Sequence, residues 1–331
     1  MKRTIVSILA ILILLTGLSG CSYDRSQPEG QGLKIVSTIF PPYDWIRNIL
    51  GEMAGETELS YLFDMGVDLH SYQPSADDII KISTSDVFVY VGGESSGWVE
   101  DVLKNALNKK MVVIDLIEVL GDAVKEEEIK EGMDHHHEDE SHHHEDHHHD
   151  GEVVWDEHVW LSLKNAQRIV PYLAERLGEL DSDNGEYYKK NAEDYVKSLD
   201  ALDALYRQEV ETATFDTLIF GDRFPFRYLL DDYQLNYYAA FSGCSAETEA
   251  SFETIVFLAN KLDELGLGCI MTIESSNQSV AKAVIRATTG KDYKILTLDS
   301  LQSVTAADIK AGVTYLSIME SNLEILKEVL N

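Results

Sequence analysis

Short apolar runs bounded by turn residues alternate along this chain with stretches of helical period. Lys34-Ile-Val-Ser-Thr-Ile-Phe40 reads as a buried strand that Pro41-Pro42 ends, and Tyr43–Leu50 as a helix with Gly51 after it. Glu58–Leu62 is a second short strand. The loop Gly66–Ser75 is rich in turn formers. Ser75 then caps a helix running through Ser83, with Asp77 and Asp78 in its first turn, where the helix dipole favours negative charge. Asp86–Val91 is a third strand closed by Gly92-Gly93, Trp98–Leu107 a helix, and Met111–Asp115 a fourth strand.

A polar stretch, roughly 121–153, interrupts the alternation, and Leu163–Leu177 resumes it as a helix. In Glu186–Thr212, apolar or aromatic residues recur at Tyr188, Ala192, Tyr195, Leu199, Leu202, Leu205 and Tyr206, which fits one face of a long helix. Twenty-seven residues at 1.5 Å each span ~40 Å, enough to cross two lobes as a stiff backbone. A second alternating unit follows: strands at Asp216–Phe220, Asn236–Phe241, Cys269–Glu274 and Lys294–Leu298, helices at Phe224–Tyr233, Phe252–Leu265, Gln278–Thr288 and about Thr314–Leu330. Strand–helix alternation implies mostly parallel sheets with right-handed crossovers. The expected fold is α/β, with two lobes, each a mostly parallel sheet flanked by helices, joined by one long rigid helix. The expected boundaries are 34–182 for the first lobe, 183–213 for the linking helix and 214–331 for the second lobe. No internal repeat is visible between the lobes.

The first residues decide the expected location. Met1-Lys-Arg is basic, Ile5–Leu15 is an apolar run too short to span a bilayer comfortably, and Leu18-Ser-Gly-Cys21 closes it. Residues 1–20 therefore read as a secretory signal. The small residues before the cysteine resemble a bacterial lipobox, which makes Cys21 the lipidated first residue of the mature chain. Residues 21–33 read as a flexible tether. The mature protein is expected to be extracytoplasmic, held by its lipid to the bacterial cell membrane. Two cysteines remain, Cys244 and Cys269, which could pair in an oxidising compartment or stay free.

The net charge of −31 argues against nucleic-acid binding, which needs basic surface, and suits attraction of cations. Of eleven histidines, nine lie in one acidic tract: His135, His136, His137, His142, His143, His144, His147, His148 and His149. Imidazoles mixed with carboxylates cannot build a core, because they have almost no apolar surface to bury. They do bind divalent transition metals. The tract is expected to be a disordered accessory metal-binding loop. The two remaining histidines, His70 and His158, lie beside acidic residues at expected loops or element boundaries, where ligands of parallel sheets are held.

Gly66-Val-Asp-Leu-His70-Ser-Tyr-Gln-Pro-Ser-Ala-Asp77 resembles the first-ligand motif of the cluster A-I solute-binding proteins, which serve zinc and manganese ABC importers. Asp156-Glu-His158-Val-Trp-Leu-Ser162 resembles their second-ligand motif. The order of parts is similar too, over essentially the whole mature chain. The resemblance implies a metal site in the cleft between lobes, small hinge motion, and delivery to an ABC permease by a protein that performs no turnover and acts as a monomer. It implies His70 and His158 as ligands, and it places Asp299 of Lys294-Ile-Leu-Thr-Leu-Asp299 as the fourth. The third position departs from the family pattern. Gly221 stands where a His or Glu is expected and cannot ligate, leaving Asp222, or Glu247 or Glu249 from the loop Cys244–Ser251, as substitutes; Asp222 is the preferred one. Zinc is the expected metal, with manganese possible. The competing readings are a surface adhesin or metallochaperone on the same fold, and a zinc hydrolase, which would need an open coordination position and a general base.

Overall fold

A computed structural model of the protein describes residues 32–133, 153–245, 249–290 and 292–331. The signal segment, Cys21, the nine tract histidines and Glu247 lie outside these residues. In the first lobe come β1 (Lys34–Ser37), α1 (Phe40–Leu50), β2 (Glu58–Tyr61), α2 (Ala76–Thr84), β3 (Val87–Tyr90), α3 (Trp98–Lys104), β4 (Val112–Asp115) and α4 (Leu116–Leu120). Two long helices follow, α5 (Leu163–Leu180) and α6 (Gly185–Thr212). The second lobe holds β5 (Thr217–Phe224), α7 (Arg227–Asp232), β6 (Asn236–Ser242), α8 (Phe252–Leu265), β7 (Cys269–Ile273), α9 (Ser279–Ala287), β8 (Lys294–Leu298), α10 (Ala306–Lys310) and α11 (Tyr315–Leu330).

Each lobe carries a four-stranded sheet, ordered β2-β1-β3-β4 in the first and β6-β5-β7-β8 in the second. Every strand pair is parallel. The two sheets thus share one topology that the sequence alone did not reveal. In both, the strand order reverses beside the first strand, the kind of switch point at which loops from the carboxyl ends part to form a crevice.

Two local expectations change. Pro41-Pro42 do not end a strand that runs to Phe40. The strand stops at Ser37, and the prolines sit in the first turn of α1. The amide hydrogens of a first helical turn have no acceptor within the helix, so proline loses nothing there. The strand expected to stop at Phe220 continues to Phe224 through a bulge between Phe220 and Arg223. The helix after it shortens accordingly to Arg227–Asp232.

Helix α6 spans ~42 Å at 1.5 Å per residue. It buries Tyr188, Ala192, Tyr195, Leu199, Leu202 and Tyr206, a stripe at alternating three- and four-residue spacing. Leu205, one position off that stripe, is 52% exposed. Asp203 is buried in its stead, accepting a hydrogen bond from Tyr233 Oη (2.9 Å) and pairing with Arg207 (2.6 Å).

One continuous apolar cluster runs from Ile35 and Phe88 in the first sheet, through Trp160 and Leu199, to Phe220 and Met319 in the second lobe. Polar ties cross the same boundary. Trp160 Nε1 donates to Ser300 O (2.9 Å) and Tyr315 Oη to Trp160 O (2.8 Å). Buried Asp44 accepts from Tyr315 N (2.9 Å), at the start of α11, where the helix dipole favours a carboxylate. Tyr61 Oη donates to Val304 O (2.9 Å). Lobes sharing a core and these bonds are fixed relative to each other. No helix among the described residues is long and apolar enough to cross a membrane.

Leu199→Ala, which opens a cavity in the shared core, is expected to lower the unfolding free energy by about 2–5 kcal/mol. Leu205→Ala should change it by no more than about 0.5 kcal/mol. Urea denaturation of the two variants beside the parent reads both.

Candidate metal centre

His70 is delivered by a tight turn after β2. Asp68 caps the 3-10 turn Leu69–Ser71, its Oδ1 accepting from His70 N (3.0 Å), while Leu69 anchors the turn in the core. Asp68 Oδ2 is held in turn by Arg223 Nη2 (2.7 Å), which reaches across from β5. The His70 ring is oriented by the turn after β3, where Ser95 Oγ lies 2.7 Å from Nδ1. Ser95 N donates to Glu157 Oε1 (2.8 Å). That carboxylate approaches so closely that a Cβ on Gly93, which has φ +76, would stand 2.3 Å from it. Glycine is required there on both counts.

His158 is fully buried. Asp156 Oδ1 accepts from both His158 N (2.9 Å) and His158 Nδ1 (3.0 Å). A carboxylate only accepts, so Nδ1 carries a hydrogen, and Nε2 is the nitrogen left to ligate. That nitrogen points at His70 Nε2, 3.3 Å away. Burial first, and the neighbouring His158 second, push the His70 pKa down to about 4. The His70 ring is therefore neutral, the form that ligates, at ordinary pH.

A third soft donor stands beside the pair. Cys244 follows the end of β6, and its sulfur and one nitrogen of each imidazole all lie within 4.8 Å of one another. Gly243 makes this approach feasible, since a Cβ there would stand 3.0 Å from His158 Cε1 and 2.8 Å from Phe224 O. Cys244 N donates to Glu127 Oε1 (3.0 Å). Burial, and then the carboxylates of Glu127, Asp156 and Glu157, hold the thiol protonated well above its usual range.

The donor set fits zinc. Two nitrogens each ~2.05 Å from a tetrahedral ion stand ~3.3 Å apart. The imidazole nitrogens already have that separation. Imidazole donors suit zinc better than manganese, which prefers oxygen.

The other expected ligands do not join this group. Gly221 packs against α9, where an added Cβ would stand 2.6 Å from Ala281 Cα, so that position admits no side chain without movement. Asp222 Oδ1 accepts from Arg223 N (2.9 Å), and its Oδ2 is buried without a hydrogen-bond partner. Asp222 lines an adjoining cavity of about 250 Å³ with Asp68, Arg223, Ile273 and Asn277. Beyond the bulge it is Arg223, not Asp222, that reaches the His70 loop. Glu249 is exposed. Asp299 accepts from Leu301 N (2.8 Å), and burial together with the nearby Glu274 carboxylate pushes its pKa up to about 7. Cys244 and Cys269 are both free thiols.

In an exported chain a cysteine points first to a disulfide, and so Cys244 is not among the donors expected from the sequence. The signal for it is its place at the carboxyl end of a parallel strand, in the same loop as Glu247 and Glu249. Two hydrolase patterns do occur in letters. His144-Glu-Asp-His-His148 satisfies His-Glu-x-x-His but lies outside the described residues. Gly93-Glu-Ser95-Ser-Gly97 satisfies Gly-x-Ser-x-Gly, yet Ser95 Oγ meets His70 Nδ1, and the other ring nitrogen faces His158 rather than a carboxylate. That is the arrangement of an orienting hydroxyl, not of a nucleophile backed by a base and acid.

The ends of the histidine-bearing insertion close beside the site. Glu126 and Trp155 form an antiparallel bridge, Glu127 N donates to Val154 O (2.8 Å), and Asp156 N to Lys125 O (2.9 Å). Tyr228 Oη clamps both ends, accepting from Lys125 N (2.9 Å) and donating to Asp156 O (2.8 Å).

Known proteins share this sequence and fold. The family model described as "ZnuA: Zinc-uptake complex component A periplasmic" matches residues 35–329. A zinc-binding lipoprotein AdcA of Streptococcus pneumoniae is 33% identical over 98% of this chain, which spans only 60% of that relative's length. The high-affinity zinc uptake system protein ZnuA of Bacillus subtilis is 30% identical, over 98% of this chain and 96% of that protein. The crystal structure of the Zn(II)-bound ZnuA-like domain of Streptococcus pneumoniae AdcA superposes with a TM-score of 0.67 at 28% identity, covering 90% of this chain and 99% of that one. With a family match running nearly from β1 to the end of α11, the chain belongs to the ZnuA family of zinc-uptake components.

Proposed function

We propose that this protein captures zinc outside the cytoplasm through His70 and His158 and hands it to an ABC importer. The observation that carries this reading is the 3.3 Å approach of the two Nε2 atoms, the spacing of two ligands on one tetrahedral zinc ion. The names of the zinc-binding and zinc-uptake relatives support the same metal. Because Asp156 and Ser95 engage the far nitrogens, both rings arrive already oriented, and binding requires little reordering. The protein works as a carrier: its chemistry is coordination and release, without turnover. The lipobox-like segment ending at Cys21 supports a lipid anchor, which would keep the carrier near its permease. The histidine tract serves as a low-affinity collector whose stems open beside the high-affinity site.

With residues 134–150 deleted to remove competing imidazoles, His70→Ala and His158→Ala should each weaken zinc binding by well over the roughly 10–100-fold that loss of an outer partner costs. Competition titration against a chelator measures it, and parental affinity in both variants would refute the site. Asp156→Asn should fall within that roughly 10–100-fold range, since it disturbs the tautomer and aim of His158 but leaves the ring in place. In cells, the tract deletion alone should slow zinc uptake in metal-poor medium and leave it unchanged in replete medium. Equal uptake in both would deny the tract a collecting role.

A further inference from the structure

We propose that Cys244 is itself a zinc ligand, so that this chain binds its metal with two imidazoles and one thiolate. The inference rests on the reading of His70 and His158 above and replaces the third ligand that Gly221 cannot supply. Three observations converge on it. The sulfur lies with one nitrogen of each ring inside a 4.8 Å group, and no other His, Cys, Asp or Glu among the described residues completes such a group with them. A thiolate ~2.3 Å and an imidazole nitrogen ~2.05 Å from one tetrahedral ion stand ~3.6 Å apart, so the sulfur needs to move by only about 1 Å. Finally, Gly221 and Gly243 trade places in effect. A side chain at Gly221 would run into α9, whereas the bare Gly243 lets the end of β6 bring its next residue against His158.

Arg223 adds an independent reason. On β5 it occupies the edge of the site, its Nη2 on Asp68 and its Nη1 3.4 Å from Ser245 O, next to Cys244. A guanidinium cannot ligate. It does bind the loops that carry His70 and Cys244 to one another through a single planar group. On binding, the Cys244 S–H bond breaks, its proton leaves to solvent, and the sulfur lone pair forms the bond to zinc. The ion supplies the positive charge that makes the thiol acidic. No oxidant or reductant takes part.

Cobalt(II) is the probe, because a thiolate ligand gives it a near-ultraviolet charge-transfer band that imidazoles and carboxylates, including those of the tract, do not. One equivalent added to the reduced full-length chain should produce the band. Cys244→Ser should abolish it, Cys269→Ser should keep it, and His70→Ala or His158→Ala should lose it with the site. In the unaltered protein loaded with one equivalent of zinc, X-ray absorption at the zinc edge should show a sulfur neighbour at ~2.3 Å, a readout that requires no variant to fold. No band in the parent, a band that survives Cys244→Ser, or a zinc shell without sulfur would overturn the proposal. If in addition the two histidine variants lose zinc, the two-imidazole reading stands without the thiol. If they keep it, that reading falls as well.

Discussion

Two imidazoles meet at 3.3 Å in a buried cleft, and both can turn lone pairs toward a common partner only if His70 stays unprotonated and the outer nitrogens are held. Desolvation supplies the first condition by disfavouring a second proton on His70. Asp156 and Ser95 supply the second. Without an ion, one ring can donate to the other across that gap; under the proposed function, zinc would take the place of that hydrogen. Most of the structure serves this meeting of the two rings. The Asp68 cap and the Arg223 pair fix one ring's loop. The shared core fixes the other's.

The core explains why the meeting point is steady. Trp160, two residues from His158, is buried in the cluster common to both lobes and bonded to Ser300 across the boundary, while Tyr315 bonds back to it. Helix α6 lies along both halves with an uninterrupted apolar stripe. Domain closure, the usual device of a two-lobed binder, would have to tear this core. Any movement at the paired rings falls instead to the loops that carry them, which are short and individually anchored.

The sequence made the alternation of strands and helices legible, and with it both histidine loops, because periodicity and turn chemistry are local. It also identified the long helix almost residue for residue, failing only at Leu205, where polar Asp203 takes the inward place by bonding Tyr233 and Arg207. What failed was set by distant packing. The bulge in β5 decides that Arg223 rather than Asp222 reaches the His70 loop, and nothing in Phe220–Phe224 announces a bulge. Cys244 becomes a neighbour of His158 only once β6 is docked beside β5 and Gly243 is pressed against the ring. Asp299 lies where the family order places it, but its carboxylate is engaged with the turn to Leu301 beside Glu274.

The pinned stems of the acidic insertion carry a consequence for how such proteins diversify. With Glu126 bridged to Trp155 and Tyr228 gripping both strands, the span between them is already closed. Doubling its length then adds only about 0.6 kcal/mol of closure entropy. Histidines can therefore be gained, lost or reshuffled in that span with almost no effect on folding. Changes of composition within the span would thus leave the paired histidines where the stems and the shared core hold them.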